Sequence, residues 1–252
     1  MPDYHAITIG ADAEEPWVRL LTLSRPESRN AMSRGLVAEC LDWLDQASSD
    51  QNIGAILISG AGRGFCAGSD LAGLAAMDDA GRSAFEADSG RLARAITAHP
   101  KPIVAAVHGF AIGGGLTLAA ACDVVVTAPD AKWSLPEVPI GLFPAWGLEA
   151  VTLRAGRVTA RRLSFGIDLL DGRQAAAAGL ADQVADDPLA EALAVARRLA
   201  ALPGAQSASV KHYFAQTRAG EAADAEANAL FMAACTTSEA AASFGKYGKA
   251  KA

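Results

Sequence analysis

The stretch His108-Gly109-Phe110-Ala111-Ile112-Gly113-Gly114-Gly115-Leu116-Thr117-Leu118-Ala119-Ala120-Ala121-Cys122-Asp123 constrains this chain more than any other. The apolar run Ile103–Val107 before it reads as a buried strand, and residues 116–121 suit a helix. Glycines between a strand and a helix let the backbone approach a ligand with no Cβ in the way. The first N–H groups of a helix lack internal partners and lie at the positive end of its dipole. Such a turn can hold an anion, or an oxygen that becomes one during a reaction. A close-packed strand–helix junction uses the same glycines, so the turn gains meaning only when other segments join it.

One such segment is the β-type run at 53–59, which ends in Gly60-Ala61-Gly62-Arg63-Gly64-Phe65-Cys66-Ala67-Gly68-Ser69-Asp70-Leu71. Two strands are thus each followed by a glycine loop. If the strands are parallel neighbours, both loops open at the carboxyl edge of the sheet, where ligands of such sheets bind. One N–H from each loop can then meet a single oxygen. A thioester that loses a proton from its α-carbon becomes an enolate with charge on that oxygen. Each such donor is worth roughly 3–4 kcal/mol in a transition state.

The rest of the chain reads as alternating β and α up to about residue 135 and as helices beyond it. Residues 5–9 and 17–23 predict a β-hairpin, Ser33 a helix cap, and 73–90, rich in Ala, Asp, Gly and Ser, a mobile loop. Helical spacing is expected over 85–98, 148–155, 157–165, 173–179, 188–202, 205–218 and 221–243. This pattern implies right-handed βαβ units with a helical C-terminal part.

Composition narrows the function classes. The chain has 252 residues, 51% hydrophobic and 20% charged, enough for a sizeable core. Its net charge of −6 gives no basic footprint for nucleic acid. Cys40, Cys66, Cys122 and Cys235 are far apart and form no CxxC pair, so neither a metal site nor a disulfide frame is expected. No apolar run has membrane-spanning length, and the N-terminal residues lack a signal-peptide pattern, so a cytoplasmic protein is expected. There is no GxGxxG and no Gly-Lys-Ser/Thr, which argues against nucleotide-binding readings.

Several motifs occur in order: Leu23-Ser24-Arg25-Pro26 with Asn30-Ala31, Phe65 to Leu71, and Lys101-Pro102 with Ala105 to Gly109. Gly113-Gly114-Gly115, Cys122-Asp123, Pro136-Glu137, Gly141 with Pro144, and Ala176 to Leu180 continue the series. Together they resemble the crotonase family, the enoyl-CoA hydratases and isomerases. The resemblance implies an α/β fold, the crotonase (ClpP-like) spiral of βαβ units with a helical C-terminal region. It implies a core over 1–190 with the acyl-CoA site, a helical trimerisation region over 191–252, and a homotrimer or dimer of trimers. It also implies an oxyanion hole from the N–H groups of Ser69 and Gly114. Ala67, Ser69, Asp70 and Leu71 would lie along coenzyme A, which enters as part of the substrate with no further cofactor. Asp70 also suits a helix N-cap. Ser28 and Arg29 fall at the nucleotide end, and Phe244 and Lys246 resemble a C-terminal aromatic and lysine that reach coenzyme A. Gly113 belongs to the binding turn, and Trp146 would wall the acyl chain or pack in the core.

The acid–base residues depart from the family pattern. Hydratases of the family carry two glutamates, one two residues after the glycine run and one in the Pro-Glu region. Here the first is Thr117 and the second is Glu137. A threonine hydroxyl hydrogen-bonds but takes up no proton near neutral pH. Some family isomerases carry an aspartate after the proline of the Gly-x-x-Pro turn, where this chain has Ala145. One carboxylate over an enolate suits moving a proton between two carbons, so the expected reaction is enoyl-CoA double-bond isomerisation with Glu137 as acid–base. The apolar neighbours Trp133, Leu135, Val138 and Ile140 are expected to raise its pKa. Enoyl-CoA hydration is the alternative. A lyase or hydrolase reaction and a non-catalytic CoA-ester-binding homologue are the further alternatives, with Thr117 in a secondary role.

Overall fold

The computed structural model describes residues 3–215 and 220–248. Strands β1 (Ile7–Ala11) and β2 (Val18–Leu23) form the expected antiparallel hairpin. From β2 onward the sheet is parallel: β3 (Ala55–Gly60) and β4 (Ile103–Val107) follow in space. The small strands β5 (Phe110–Ile112) and β7 (Lys132–Ser134) pair with each other in a separate parallel ladder. Strands β6 (Val124–Thr127) and β8 (Gln183–Val184) complete the main sheet, whose order is β1-β2-β3-β4-β6-β8.

The central parallel strands β3 and β4 are buried on both faces, as helical crossovers require. Side chains alternate between two cores with period two. Ile56, Ile58, Ala105, Val107 and Val125 enter the large core. Ala55, Leu57, Val104, Ala106 and Val126 face Ala192, Val195 and Ala196 of α7 (Pro188–Ala200). The expected boundary after residue 190 falls inside this helix, which packs on β3, β4 and β6.

Helix α1 (Arg34–Ser49) starts where Ser33 accepts the Leu36 N–H and buries Leu36, Val37, Cys40, Leu44 and Ala47. Residues 73–90 were expected to be irregular; the structure makes them helical. Asp70 caps α2 (Leu71–Ala75) by accepting the Gly73 N–H, and Asp78 caps α3 (Asp79–Ala98) by accepting the Gly81 N–H. Phe85, Ser89, Leu92, Ala93 and Ile96 then form a continuous buried stripe. The helix expected over 85–98 thus begins six residues earlier, at Asp79.

Helix α4 (Gly114–Ala120) begins within the glycine run. The two helices expected at 148–155 and 157–165 form α5 (Leu148–Ser164), kinked at Gly156, where φ is +75°. Helix α6 (Gly172–Ala177) precedes β8. After α7 come α8 (Gly204–Ala215), α9 (Gly220–Cys235) and α10 (Ser238–Gly248), so the expected single stretch at 221–243 is two helices. Helix α9 packs on α3 and α10 packs on α2. Among the described residues no helix is long and apolar enough to cross a membrane.

Candidate active site

The two glycine loops meet at the carboxyl edge of β3 and β4. The first runs between two partners. On one side Ile112 N–H donates to the Cys66 carbonyl at 3.0 Å, and Cys66 N–H donates to the Phe110 carbonyl at 3.2 Å. On the other side Met32 N–H donates to the Gly68 carbonyl at 2.8 Å, and Asp70 N–H donates to the Met32 carbonyl at 2.9 Å. In the second loop Gly113 N–H donates to the Ser134 carbonyl of β7 at 2.8 Å. The N–H groups of Ser69 and Gly114 are left with no acceptor among the described residues. Gly68 has φ of +88°, and a Cβ placed on it would stand 3.3 Å from Gly114 N and 2.8 Å from the Ile112 carbonyl oxygen. Only a glycine tolerates that backbone at that distance. The Ser69 and Gly114 N–H groups therefore lie on adjoining loops that line one cavity.

Asn30 holds the first loop from below. It is fully buried and left-handed, with φ of +55°. Its side-chain amide donates to the carbonyls of Ala61, Gly64 and Phe65 at 2.8–3.1 Å, while its Oδ1 accepts the Arg25 N–H at 2.9 Å. Arg25 also pairs with Asp70 at 3.2 Å. Asp70 thus caps α2 and receives a cation at the same time.

Glu137 follows β7 by three residues. Its Oε1 lies 2.7 Å from the point where a Cβ on Gly113 would stand, so the carboxyl leans over the glycine turn. Its carbonyl is held by Ile140 N–H and Leu142 N–H, which fixes the backbone. Its Oε2 is buried with no hydrogen-bond partner. Burial pushes the Glu137 carboxyl up to about 7. The apolar groups beside it in the cavity are Ile140, Leu142 and Pro136. Trp133 and Leu135, expected in that role, lie in the core, where the Trp133 indole donates to Thr127 Oγ1, and Val138 is exposed.

Thr117 reaches the cavity, but its hydroxyl donates to the Gly114 carbonyl at 3.0 Å. Trp146 walls the same cavity; an added Cβ on Gly114 would meet its Cζ2 at 2.6 Å. Ala67, Leu71 and Gly113 line it as well.

One functional candidate was not found in the sequence. Glu86, on the buried face of α3, opens into the same cavity as Glu137, with only 4% of its surface exposed. Burial pushes its carboxyl up to about 8, with the Glu137 charge adding. No cation pairs with it among the described residues. Its only sequence signal is its place beside the 85/89/92/96 stripe, at the start of the helix expected over 85–98.

Other sequence candidates lie apart from this cavity. Ser28 is half-buried with its hydroxyl on the Arg25 carbonyl, and Arg29 is exposed. Phe244 sits on α10 under the Arg82 guanidinium, 4.6 Å from its ring centre, and Lys246 is exposed beside Tyr247. His108 rests on the Gly62 carbonyl at 3.0 Å, as a structural histidine would. Among the described residues no group of three or more His, Cys, Asp or Glu is placed to hold a metal.

Comparison with known proteins follows the same lines. A family model described as enoyl-CoA hydratase/isomerase matches residues 14–247. A curated 2,3-dehydroadipyl-CoA hydratase of Escherichia coli is 36% identical over 186 residues, 73% of this chain and 72% of that protein. A probable enoyl-CoA hydratase of Bacillus subtilis is 36% identical over 199 residues, 78% of this chain and 75% of its own length. Among solved structures, an enoyl-CoA hydratase/isomerase from Mycobacterium paratuberculosis superposes with a TM-score of 0.88 at 30% identity, covering 96% of this chain and 98% of the other.

Proposed function

This chain belongs to the enoyl-CoA hydratase/isomerase family, and we propose that within it the protein moves the double bond of an enoyl-CoA thioester, with Glu137 serving the α-carbon. The observation that carries this reading is the Glu137 carboxyl, enclosed, with its Oε2 unpartnered and its Oε1 leaning over the turn that offers the Gly114 N–H. The thioester oxygen would accept from Ser69 and Gly114. The α-carbon would then lie beside Glu137, whose raised pKa suits removing and returning a proton near neutral pH. Thr117 is occupied with its own helix and supplies neither a base nor an acid. Coenzyme A enters as part of the substrate, and the reaction needs no further cofactor.

Hydration is the second reading. It is favoured by the second carboxyl, Glu86, in the cavity and by the hydratase names of the curated relatives. Incubation with trans-2-enoyl-CoA and 3-enoyl-CoA in deuterated water, followed by NMR and mass, separates the two. A shifted double bond with α-deuterium and no added water is the expected result. Rapid 3-hydroxyacyl-CoA formation would replace isomerisation with hydration. Binding with neither reaction would leave a CoA-ester-binding protein.

The proposed assembly is a homotrimer or a dimer of trimers. Val210, Tyr213 and Phe214 stand exposed on α8, and Val158 on α5, as apolar surface that an assembly would cover. Light scattering should return about three or six times the 25.8 kDa chain mass.

A further inference from the structure

We infer that Glu86 is a second catalytic acid–base residue, holding a proton for the acyl chain beyond the α-carbon while Glu137 serves the α-carbon itself. The inference rests on the isomerase reading for its direction, but its core is geometric. Two carboxyls from different elements, α3 and the turn after β7, open into one cavity lined largely by apolar groups such as Leu74, Leu142 and Phe231. A buried carboxyl without a cation is costly to keep for packing alone. Position 117, two residues past the glycine run, offers no carboxyl, so α3 supplies the missing one from another wall.

The proton balance is simple. With a 3-enoyl thioester, Glu137 carboxylate takes a proton from C2, and the electrons of that bond form a dienolate. Its oxygen is held by the Ser69 and Gly114 N–H groups. Protonated Glu86 then gives its proton to C4, the thioester carbonyl reforms, and the double bond lies between C2 and C3. The site resets when Glu86 regains a proton and Glu137 loses one to water.

The surroundings of Glu86 keep this assignment clean. On α3, Arg82 is committed to the Leu74 carbonyl and Asp79, and on α9 the Cys235 thiol is pushed up to about 11 by burial. From α8, Lys211 binds Asp123 and the Ile96 carbonyl; from α1, Glu39 binds the N–H groups of residues 5–7. Glu137 is the facing group whose charge raises Glu86.

The test uses 3-enoyl-CoA deuterated at C2, turned over in ordinary water by the wild type, Glu86→Gln and Glu86→Asp. The wild type is expected to place little of the C2 deuterium at C4, since C4 receives its proton from Glu86. Glu86→Gln is expected to lose about 100-fold in turnover, while binding thioester and exchanging α-protons within a few-fold of wild type. Glu86→Asp should recover part of the loss. Wild-type turnover should fall as pH rises through about 8, and Glu86→Gln should lose that limb. Unchanged turnover in Glu86→Gln, or transfer of C2 deuterium mainly to C4 by the wild type, overturns the assignment. If the wild type hydrates instead, the isomerase reading falls, yet loss of hydration in Glu86→Gln with α-exchange kept upholds Glu86. Unchanged hydration in that variant overturns it. A wild type with no turnover overturns both.

Discussion

The side of the cavity that offers the Ser69 and Gly114 N–H groups is made of main chain, and the side that offers carboxyls is made of side chains. On the main-chain side, the loop at 64–69 is fixed between β5 and Met32 by backbone hydrogen bonds and by the Asn30 amide, so its N–H groups are aimed before any ligand arrives. On the side-chain side, Glu86 and Glu137 have no such scaffold. Their carboxyls stand in apolar surroundings, and their proton affinities are set by burial. The first half depends on close approach of backbones and the second on exclusion of water. The two halves should fail in different ways, which gives the comparison its tests.

The largest effect is expected on the side-chain half. Glu137→Gln should remove α-proton exchange by about a thousandfold or more, as loss of a positioned acid–base group does. Thioester binding should change little, because the Ser69 and Gly114 N–H groups proposed to hold the carbonyl are untouched. Deuterium incorporation followed by mass and binding followed by calorimetry check the two parts separately. Exchange that persists in this variant would remove Glu137 from the reaction. On the main-chain half, Gly115→Ala should behave differently. Its Cβ would stand 2.3 Å from the Cys66 carbonyl oxygen, so the two loops must part. Activity should fall by about a hundredfold, and thioester binding and thermal stability should fall with it. Intact binding in Gly115→Ala would mean that the loops need not touch.

The same division explains what the sequence made legible. Glycine loops are readable because few residue types satisfy a positive φ or a close backbone approach, as at Gly68 and Gly115. Glu137 is readable because it stands in a Pro-Glu turn at a fixed distance after a short strand. Glu86 was not readable. A glutamate among Ala, Asp, Gly and Ser looks solvated, and the groups that share its cavity, Phe231 of α9 and residues of the 136–146 segment among them, lie far away in sequence. The capping aspartates Asp70 and Asp78 were the available sign that 71–75 and 79–84 are helical too. Strands β5 and β8, three and two residues long, are too short to carry a period.

A smaller effect, on stability, sharpens the side-chain half. The folded-state pKa of Glu86 is about 8, above its ordinary 4.5, so the folded state holds a proton that the unfolded chain releases. Stability from this group is therefore complete below about pH 4.5 and is lost as pH rises through about 8. Relative to wild type, Glu86→Gln should gain stability over that window, by up to a few kcal/mol at its alkaline end. For a chain of this size that is a rise of roughly 5–10 °C in Tm at pH 8–9. Scanning calorimetry of both proteins from pH 5 to 9 reads the difference directly. Parallel Tm curves would mean that Glu86 titrates normally and that its cavity is wet. Together with the turnover test, a gain in stability and a loss of activity in one variant would mark a residue kept for chemistry at the expense of the fold.

The smallest effect is expected at Thr117, which belongs to neither half. Its side chain borders the cavity, yet its hydroxyl is spent on the Gly114 carbonyl one turn back, and its Cβ lies against Gly147. Thr117→Val keeps the branched shape and removes only that hydrogen bond, worth about 1 kcal/mol. Gly114 already belongs to the first turn of α4, so its N–H should shift little. Turnover should therefore stay within about fivefold of wild type, with KM nearly unchanged. A loss of a hundredfold or more would mean that the hydroxyl turns toward substrate during the reaction. The acid–base pair would then have to be sought between Thr117 and Glu137 rather than between the two carboxyls.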